Sequence, residues 1–342
     1  MRAIQYSGYG AEPCLVELPG PECPPDGVIV SVRATGVCRS DWHAWRGHDP
    51  VPLPMVPGHE FAGVVAATGP LVSAFSVGDR VTAPFVNGCG RCEWCLAGHA
   101  QVCPDQTQPG FTHAGSFAEQ VVVRAADFNL VRLPDEVDFV TAASLGCRFA
   151  TSYHALTVQG RLEAGEWLLV VGCGGVGMSA VMVGVALGAR VLAVDPSPEA
   201  RARATELGAE SVLPLADPDA VRAVTGGGAD VSLDAVGTGA TAAAAVLGLR
   251  RRGRHVQVGL MLDRHADAPL PWGPVIAHEL EVVGSHGMAA VDYPELLALI
   301  TAGTLDPRSL VGRVVDLAGA GAALMALDAP VPAAAGIVVA TL

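Results

Sequence analysis

The fold is decided by Glu166-Trp167-Leu168-Leu169-Val170-Val171-Gly172-Cys173-Gly174-Gly175-Val176-Gly177. The first half of this stretch is a continuous apolar run, which is typical of a strand buried on both faces of a parallel sheet. The second half has the spacing Gly-x-Gly-x-x-Gly and opens a segment of helical character. Glycines at such a turn let the backbone approach a pyrophosphate at the helix N-terminus, whereas the alternative is a tight turn without a ligand.

The next predicted strand covers residues 190–195 and ends with Asp195. A carboxylate at this strand end can accept hydrogen bonds from both ribose hydroxyls of a dinucleotide. Its charge would repel a 2′-phosphate, and the following loop has no basic residue before Arg201. The sequence therefore favours NAD over NADP.

Strands and helices continue to alternate as far as about residue 286. Further strands are predicted at 212–214, 229–234, 255–259 and 280–284, and helices at 199–208, 219–225 and 241–249. Six strands that alternate with helices predict an α/β fold with a doubly wound parallel sheet. A ligand is expected at the carboxyl ends of its strands.

The chain before about residue 139 shows β-rich character, with its clearest strand at 28–34 and no helix of length. It contains Cys-Arg-Ser-Asp-Trp-His from Cys38 and Gly-His-Glu around His59. Zn²⁺ takes thiolate and imidazole ligands, and a catalytic zinc keeps one position open. Two ligands are too few, so we expect a third from elsewhere, with Cys147 as the candidate; its alternative is a buried inert thiol.

A second cysteine group has the spacing Cys89-x2-Cys92-x2-Cys95-x7-Cys103. Four thiolates at this spacing can close a tetrahedral zinc site without an open position, which makes it structural. The alternatives are unpaired thiols or two disulfides. A nucleic-acid-binding zinc ribbon is disfavoured because the chain is acidic and the cluster has no basic face.

The bulk composition excludes several classes of protein. The 342 residues are 51% hydrophobic and 16% charged, with a formal net charge of −13, and suffice for two domains. Such a charge argues against nucleic acid or an anionic membrane as partner. The sequence has no apolar run of membrane-spanning length, and it begins like a strand rather than a signal peptide. We therefore expect a cytoplasmic protein.

The motif from Cys38 to Glu60, the four-cysteine spacing and the glycine motif together resemble the zinc-dependent alcohol dehydrogenases of the medium-chain dehydrogenase/reductase superfamily, over nearly the whole chain. The resemblance implies a GroES-like catalytic domain over 1–148, with a structural-zinc lobe at about 86–104. It implies a NAD-binding Rossmann domain over 149–286 and a return to the catalytic domain over 287–342. It also implies reversible hydride transfer between NAD(H) and a primary or secondary alcohol, two zinc ions per chain, and a homodimer or homotetramer.

The resemblance also implies roles around the catalytic zinc. The metal ligands would be Cys38, His59 and Cys147. Asp41 would orient the His59 imidazole, and Glu60 would lie behind the metal and bind it transiently. The substrate proton would pass through Ser40 and His43, since an imidazole titrates near neutrality.

Contacts to the cofactor and substrate follow in the same way. The expected pyrophosphate, nicotinamide and ribose contacts are Arg39, Thr151, Gly172, Gly174, Gly175, Val176, Gly177 and Asp195, and the expected pocket walls are Phe85 and Trp45. The resembled enzymes often carry a pyrophosphate-binding arginine before the last strand, where this chain has Ala333-Ala334-Ala335. We hypothesise that Arg148 replaces it, because it adjoins a metal ligand and has no obvious use in the core.

Three other functions would share parts of this sequence pattern. A zinc-free reductase of the superfamily should lack Cys38, His59 and the four-cysteine lobe. A polyol or sugar dehydrogenase often uses Glu as third ligand and lacks the lobe, so Cys147 speaks against it. A protein that binds NADH and zinc only as a sensor would leave Ser40 and His43 without a use.

Overall fold

The computed structural model describes residues 1–329 and 336–342. Two compact units are present. Met1–Ala150 and most of the described chain from Gly287 onward form the first unit, and Thr151–His286 form the second. The domain boundaries that the sequence predicts after residues 148 and 286 stay predictions. The alanines at 333–335, where an arginine was expected and missing, lie outside the described residues.

The chain up to residue 159 contains seven strands and five short helices. The strands are β1 (Arg2–Gln5), β2 (Cys14–Glu17), β3 (Val28–Val37), β4 (Glu60–Thr68), β5 (Arg80–Thr82), β6 (Gln120–Val123) and β7 (Val131–Arg132). The helices are α1 (Arg39–Arg46), α2 (Glu93–Leu96), α3 (Ala126–Asn129), α4 (Phe139–Ala143) and α5 (Ala150–His154). Two π-helical turns, Leu145–Phe149 and Ala155–Gln159, flank α5.

The second unit alternates strands and helices. Its strands are β8 (Trp167–Val171), β9 (Arg190–Val194), β10 (Ser211–Leu213), β11 (Ala229–Asp234), β12 (Leu249–Gln257) and β13 (Glu281–Gly284). Its helices are α6 (Gly175–Ala186), α7 (Pro198–Glu206), α8 (Pro218–Thr225), α9 (Gly239–Leu247) and α10 (Trp272–Ala277). The six strands form one parallel sheet in the order β10-β9-β8-β11-β12-β13. The predicted six-stranded doubly wound sheet is confirmed, while α10 was not predicted.

The C-terminal elements are α11 (Tyr293–Thr301), β14 (Val311–Asp316), α12 (Leu317–Met325) and β15 (Ile337–Thr341). Strand β15 pairs antiparallel with β3, and a seven-stranded sheet results, ordered β14-β15-β3-β4-β5-β7 with β6 beside β3. Single 3₁₀ turns complete the described structure at Ala100–Val102, Asp263–His265, Ala290–Asp292, Pro307–Leu310 and Ala326–Asp328. None of the helices in the described ranges has the length and hydropathy of a membrane span.

Apolar burial explains where the main elements lie. All five residues of β8 are buried, because this strand is central in its sheet and packs on both faces. Strands β3 and β4 bury Val28, Val30, Phe61 and Val65 in a core of the first unit. The ends of these buried strands carry the residues described below.

The sequence predicts no helix of length before residue 139, and it gives no signal for α1, a short helix of eight residues that begins at Arg39. Its N-cap is Cys38, whose backbone N–H donates to Asp41 Oδ2 at 3.0 Å. Its C-cap is Gly47 at φ 79°, a left-handed conformation that glycine adopts without strain. The helix is too short for a clear periodic signal, and its cap is a cysteine rather than a common capping residue.

Candidate active site

Three segments of the first unit bring together a cysteine, a histidine and a second cysteine. Cys38 follows β3, His59 precedes β4, and Cys147 lies in the π-helical turn Leu145–Phe149. Their ligand atoms all lie within 4.8 Å of one another. Two sulfurs and one imidazole nitrogen form a donor set that suits Zn²⁺ and leaves one tetrahedral position open. π-Helical turns occur frequently at functional sites.

The His59 imidazole is fully buried and oriented by Asp41. Its Nδ1 lies 2.8 Å from Asp41 Oδ1. Its Nε2 is also buried and has no hydrogen-bond partner within residues 1–329 and 336–342. A hydrogen-bonded Nδ1 fixes the ring so that Nε2 can bind a metal, which is the usual arrangement of a histidine ligand.

Asp41 links two of the ligand segments. Besides His59, its Oδ1 accepts a hydrogen bond from the Gly58 N–H at 3.0 Å, and its Oδ2 accepts one from the Cys38 N–H at 3.0 Å. The residue is only 1% exposed. The carboxylate therefore fixes the backbone on either side of the site as well as the imidazole.

The two thiols differ in proton affinity. A hydrogen bond from Cys147 lowers the pKa of Cys38 well below its ordinary value, although burial acts in the opposite direction. The same hydrogen bond, together with burial, raises the pKa of Cys147. A bound divalent cation would deprotonate coordinating thiols, so metal binding here releases protons.

The environment of Arg148 contradicts the idea that it has no use in the core. Arg148 is only 8% exposed, and its guanidinium forms an ion pair with the fully buried Glu60. The guanidinium also donates to the Val37 carbonyl at 3.1 Å. Burial raises the pKa of Glu60, and the charge of Arg148 opposes that shift. The premise that Arg148 has no use in the core is therefore wrong, and its role as a pyrophosphate-binding residue stays a prediction.

Aromatic side chains surround the His59 ring. Phe85, predicted as a pocket wall, meets it edge-on with a centroid distance of 5.9 Å, and Phe111 does so at 5.2 Å. Phe111 was not predicted, and the sequence carries no local signal for it. Trp45, predicted as a second wall, is instead a core residue, 3% exposed, whose Nε1–H donates to the Ala11 carbonyl.

Ser40 and His43, the two residues predicted to relay the substrate proton, both lie in α1. Ser40 Oγ lies 3.9 Å from Cys38 Sγ. His43 is half-buried, and its Nδ1 lies 3.2 Å from Nδ1 of His48, which is exposed. A role for His48 was not predicted. The sequence feature that could have indicated it is a second histidine directly after Gly47, the residue that ends α1.

Arg39, predicted to contact the pyrophosphate, is an exposed residue at the start of α1. Its Nη1 donates to the Leu327 carbonyl at 2.6 Å, and its guanidinium lies 4.8 Å from the centre of the Trp42 ring. The pyrophosphate role stays a prediction.

The four-cysteine lobe forms a second candidate metal site in the first unit. The Sγ atoms of Cys89, Cys92, Cys95 and Cys103 lie within 4.8 Å of one another, with separations of 4.0 Å for Cys89–Cys95 and 3.7 Å for Cys92–Cys103. A tetrahedron with Zn–S bonds of about 2.3 Å has sulfurs about 3.8 Å apart. All four are free cysteines, so the disulfide alternative does not apply.

The thiols of this lobe also differ in acidity. Backbone N–H groups of Arg91 and Cys92 lower the pKa of Cys89 to about 6. Burial raises the pKa of Cys95 to about 12. Backbone donors of this kind stabilise thiolates and so prepare a site for a cation.

The glycine motif lies in the second unit, between β8 and α6. A Cβ atom on Gly177 would overlap the Gly172 carbonyl oxygen, so the turn needs glycine there. A Cβ on Gly174 would meet no atom within 4 Å. The turn is therefore tight on its inner side and open at Gly174, as a backbone that receives a pyrophosphate must be.

Asp195 lies just after β9, beside this turn. Its Oδ2 accepts a hydrogen bond from the Cys173 N–H at 2.9 Å, and its Oδ1 accepts one from the Ser197 N–H at 2.8 Å. Arg201 Nη1 donates to the carbonyls of Asp195 and Pro196. The carboxylate is thus held at the strand end, where a ribose is expected.

Two residues predicted to contact the nicotinamide belong to the same unit. Thr151 is 7% exposed, and its buried Oγ1 has no hydrogen-bond partner within the described ranges. The Val176 carbonyl accepts a hydrogen bond from Ser152 Oγ at 2.8 Å. An unpartnered buried hydroxyl is unusual and fits a group that awaits a ligand.

Comparison with known proteins adds to this geometry. Residues 24–135 match the alcohol dehydrogenase GroES-like domain, and residues 175–302 match the zinc-binding dehydrogenase family. An alcohol dehydrogenase of Geobacillus stearothermophilus is 35% identical over 281 residues, which cover 81% of this chain and 82% of the relative.

Solved structures are similar over the full length. The alcohol dehydrogenase TADH from Thermus sp. ATN1 has a TM-score of 0.91 and 31% identity, covering 100% of this chain and 99% of its own. A structure described as a NAD-dependent alcohol dehydrogenase has a TM-score of 0.88 and 30% identity, covering 100% of both chains.

Proposed function

The chain belongs to the zinc-dependent alcohol dehydrogenases of the medium-chain dehydrogenase/reductase superfamily, and we propose that Cys38, His59 and Cys147 are its catalytic zinc ligands. The observation that carries this proposal is the buried, unpartnered Nε2 of His59 beside two thiols, among the described residues. A zinc ion held there would act as a Lewis acid on the substrate oxygen, while bound NAD would accept the hydride.

The chain's own residues would move the substrate proton. We assign acceptance of the hydroxyl proton to Ser40 Oγ, with onward transfer to His43. The 3.2 Å between the Nδ1 atoms of His43 and His48 requires that one nitrogen carries the hydrogen and the other accepts it. His48 is exposed, so the proton would reach solvent from there.

The aromatic residues beside His59 would exclude water and select the substrate. Phe85 and Phe111 present apolar surface to the imidazole ring. Such a wall favours apolar or aromatic alcohols over polyols, because burying unpaired hydroxyls costs free energy.

We propose NAD rather than NADP as the cofactor. Asp195 is held at the end of β9 by two backbone N–H groups, with oxygens still able to accept from a ribose. The test is Asp195→Ala, with Glu199→Gln as the control that removes one nearby charge, in the first turn of α7. Loss of a charged hydrogen bond of about 1.5–3 kcal/mol should lower kcat/KM for NADH roughly tenfold to a hundredfold. An unchanged preference between NADH and NADPH would contradict the assignment.

The zinc ligands are tested by kinetics on ligand variants. Wild-type enzyme should oxidise NADH with aliphatic, benzylic or secondary carbonyls and should reduce NAD with the corresponding alcohols; polyols should be poor substrates. Cys38→Ser and Cys147→Ser should each lose this activity and one zinc per chain. Cys14→Ser, a change at an exposed cysteine, is the matched control. Full activity in either ligand variant would refute the proposed site.

The proposed assembly rests on the family resemblance. We propose a homodimer or homotetramer that acts in the cytoplasm. Light scattering on the eluting peak of a gel-filtration column gives the subunit number directly, and a monomer that retains full activity would contradict the proposed assembly.

A further inference from the structure

The feature that the proposed reaction leaves unexplained is the buried pair of Arg148 and Glu60. Glu60 is 0% exposed and Arg148 is 8% exposed. Neither residue is needed to hold a three-ligand metal site. Burying two charges is costly unless their geometry and hydrogen bonds compensate, so the contacts of this pair require an explanation.

Both oxygens of the Glu60 carboxylate are occupied. Oε1 accepts hydrogen bonds from the backbone N–H of Cys147 at 3.1 Å and of Arg148 at 3.2 Å, and from Arg148 Nε at 3.3 Å. Oε2 accepts from Arg148 Nη2. Arg148 Nε and Nη2 therefore form a bidentate pair with the two carboxylate oxygens, a geometry that a guanidinium provides and a lysine ammonium does not.

The pair also reaches two metal-ligand segments. One of its donors is the backbone of Cys147 itself, and Arg148 Nη1 donates to the carbonyl of Val37, the residue before Cys38. Gly36 lies opposite Glu60 in the β3–β4 register, where a Cβ would collide with Glu60 Oε2. The absence of a side chain at Gly36 makes room for the pair.

The position of Glu60 matters because a carboxylate is itself a zinc ligand. Glu60 directly follows His59 in the sequence. Its oxygens nevertheless do not belong to the group of ligand atoms formed by Cys38, His59 and Cys147 within the described residues. A zinc ion with two thiolates is neutral overall, and Arg148 balances the remaining charge of Glu60.

We propose that Arg148 is a positioning residue that limits Glu60 to the transient metal contact expected from the family resemblance and so keeps one coordination position open for substrate. The inference rests on the proposed catalytic zinc site. Without the Arg148 guanidinium, the buried Glu60 carboxylate would keep its two backbone N–H donors but lose the positive charge that balances it. Such a group is relieved by taking a proton or by coordinating the metal, and coordination would close the open position.

The test compares Arg148→Met, Glu60→Gln and the double variant with wild type, each loaded with Co²⁺. The visible absorption of Co²⁺ reports its ligands independently of turnover, and the four-cysteine site contributes equally to every spectrum, so it cancels in difference spectra. Arg148→Met should change the spectrum of the catalytic site and lower kcat/KM about 10–100-fold. The double variant should regain the wild-type spectrum, because an uncharged amide competes poorly for the metal.

Arg148→Lys is the second variant should Arg148→Met fail to fold. The lysine side chain keeps the positive charge but cannot form the bidentate hydrogen bonds of arginine. We therefore expect a smaller spectral change, which Glu60→Gln should again reverse. A wild-type spectrum in the Arg148 variants, or a double variant as perturbed as the single one, would overturn the proposal.

Equilibrium binding of NAD distinguishes the proposed positioning role of Arg148 from a role in binding the cofactor pyrophosphate. If Arg148 instead bound the cofactor pyrophosphate, its loss would weaken NAD binding, and Glu60→Gln would not restore it. We expect NAD affinity to stay within about twofold of wild type in all variants. If wild-type enzyme binds no Co²⁺ at the three-ligand site, the proposed function itself is refuted. This outcome differs from an unaltered spectrum in the variants, which refutes only the role of Arg148.

Discussion

Replacement of Asp41 by asparagine probes the orientation of the zinc ligand His59. The Asp41 carboxylate accepts three hydrogen bonds, from His59 Nδ1, Gly58 N–H and Cys38 N–H, at 2.8, 3.0 and 3.0 Å. Asparagine has nearly the same shape but only one acceptor oxygen. Whichever way its amide turns, its NH₂ group faces at least one donor, so at least one buried N–H is left without an acceptor.

The magnitude follows from these contacts. A buried donor without a partner costs about 1–3 kcal/mol, and the lost charge weakens the remaining hydrogen bond to His59. We expect the free energy of unfolding of the metal-free protein to fall by about 2–4 kcal/mol. Mutation of groups that orient metal ligands lowers metal affinity about 10–100-fold, which corresponds to about 1.4–2.8 kcal/mol.

The assay is competition for zinc with a chromophoric chelator at equilibrium. The four-cysteine site, which Asp41 does not contact, serves as the internal reference in the same sample. Asp135→Asn is the control, because that side chain is 99% exposed and such changes alter stability by less than about 0.5 kcal/mol. A zinc affinity of Asp41→Asn within twofold of wild type would refute the idea that this carboxylate positions His59.

Three further predictions concern other groups. Cys95→Ser should lose the zinc of the four-cysteine lobe and lower the Tm, whereas Cys14→Ser should do neither. His43→Gln should lower kcat/KM about 10²-fold at neutral pH, while His48→Gln should cost less than about tenfold, since solvent can replace an exposed imidazole. Burial lowers the pKa of His255, so the unfolded chain binds its proton more readily. Stability should therefore fall as the pH drops below about 6.5, by at most about 1.4 kcal/mol per pH unit, and His255→Gln should flatten this fall in denaturant titrations.

Local patterns were sufficient to predict the order of strands and helices in most of the second unit, although not α10. The apolar run of β8 and the glycine spacing after it depend on contacts a few residues apart, and the strand and helix that they predict are present at Trp167–Val171 and Gly175–Ala186. The four cysteines at 89–103 likewise lie within one short segment. Spacing along the chain is then a fair guide to spacing in the fold.

Residues that meet across long sequence distances could not be predicted in this way. Arg148 pairs with Glu60 through hydrogen bonds that span 88 positions, and nothing in Leu-Gly-Cys-Arg-Phe indicates that partner. Phe111 reaches the His59 ring from another loop. For Trp45 the sequence indicated an aromatic side chain near the metal stretch but not the face of α1 on which it lies, and that face packs into the core.

The two carboxylates beside His59 connect the three ligand segments in a chain. Asp41 joins the backbone of Cys38 to the imidazole of His59. Glu60, the next residue after His59, joins that segment to the backbone of Cys147. Loss of either carboxylate contact leaves one ligand segment with fewer connections while the other carboxylate contact persists. Because both connections pass through His59 and Glu60, Asp41→Asn and Arg148→Met should not act independently on zinc affinity, and their double-mutant cycle should give a coupling energy of at least about 0.5 kcal/mol.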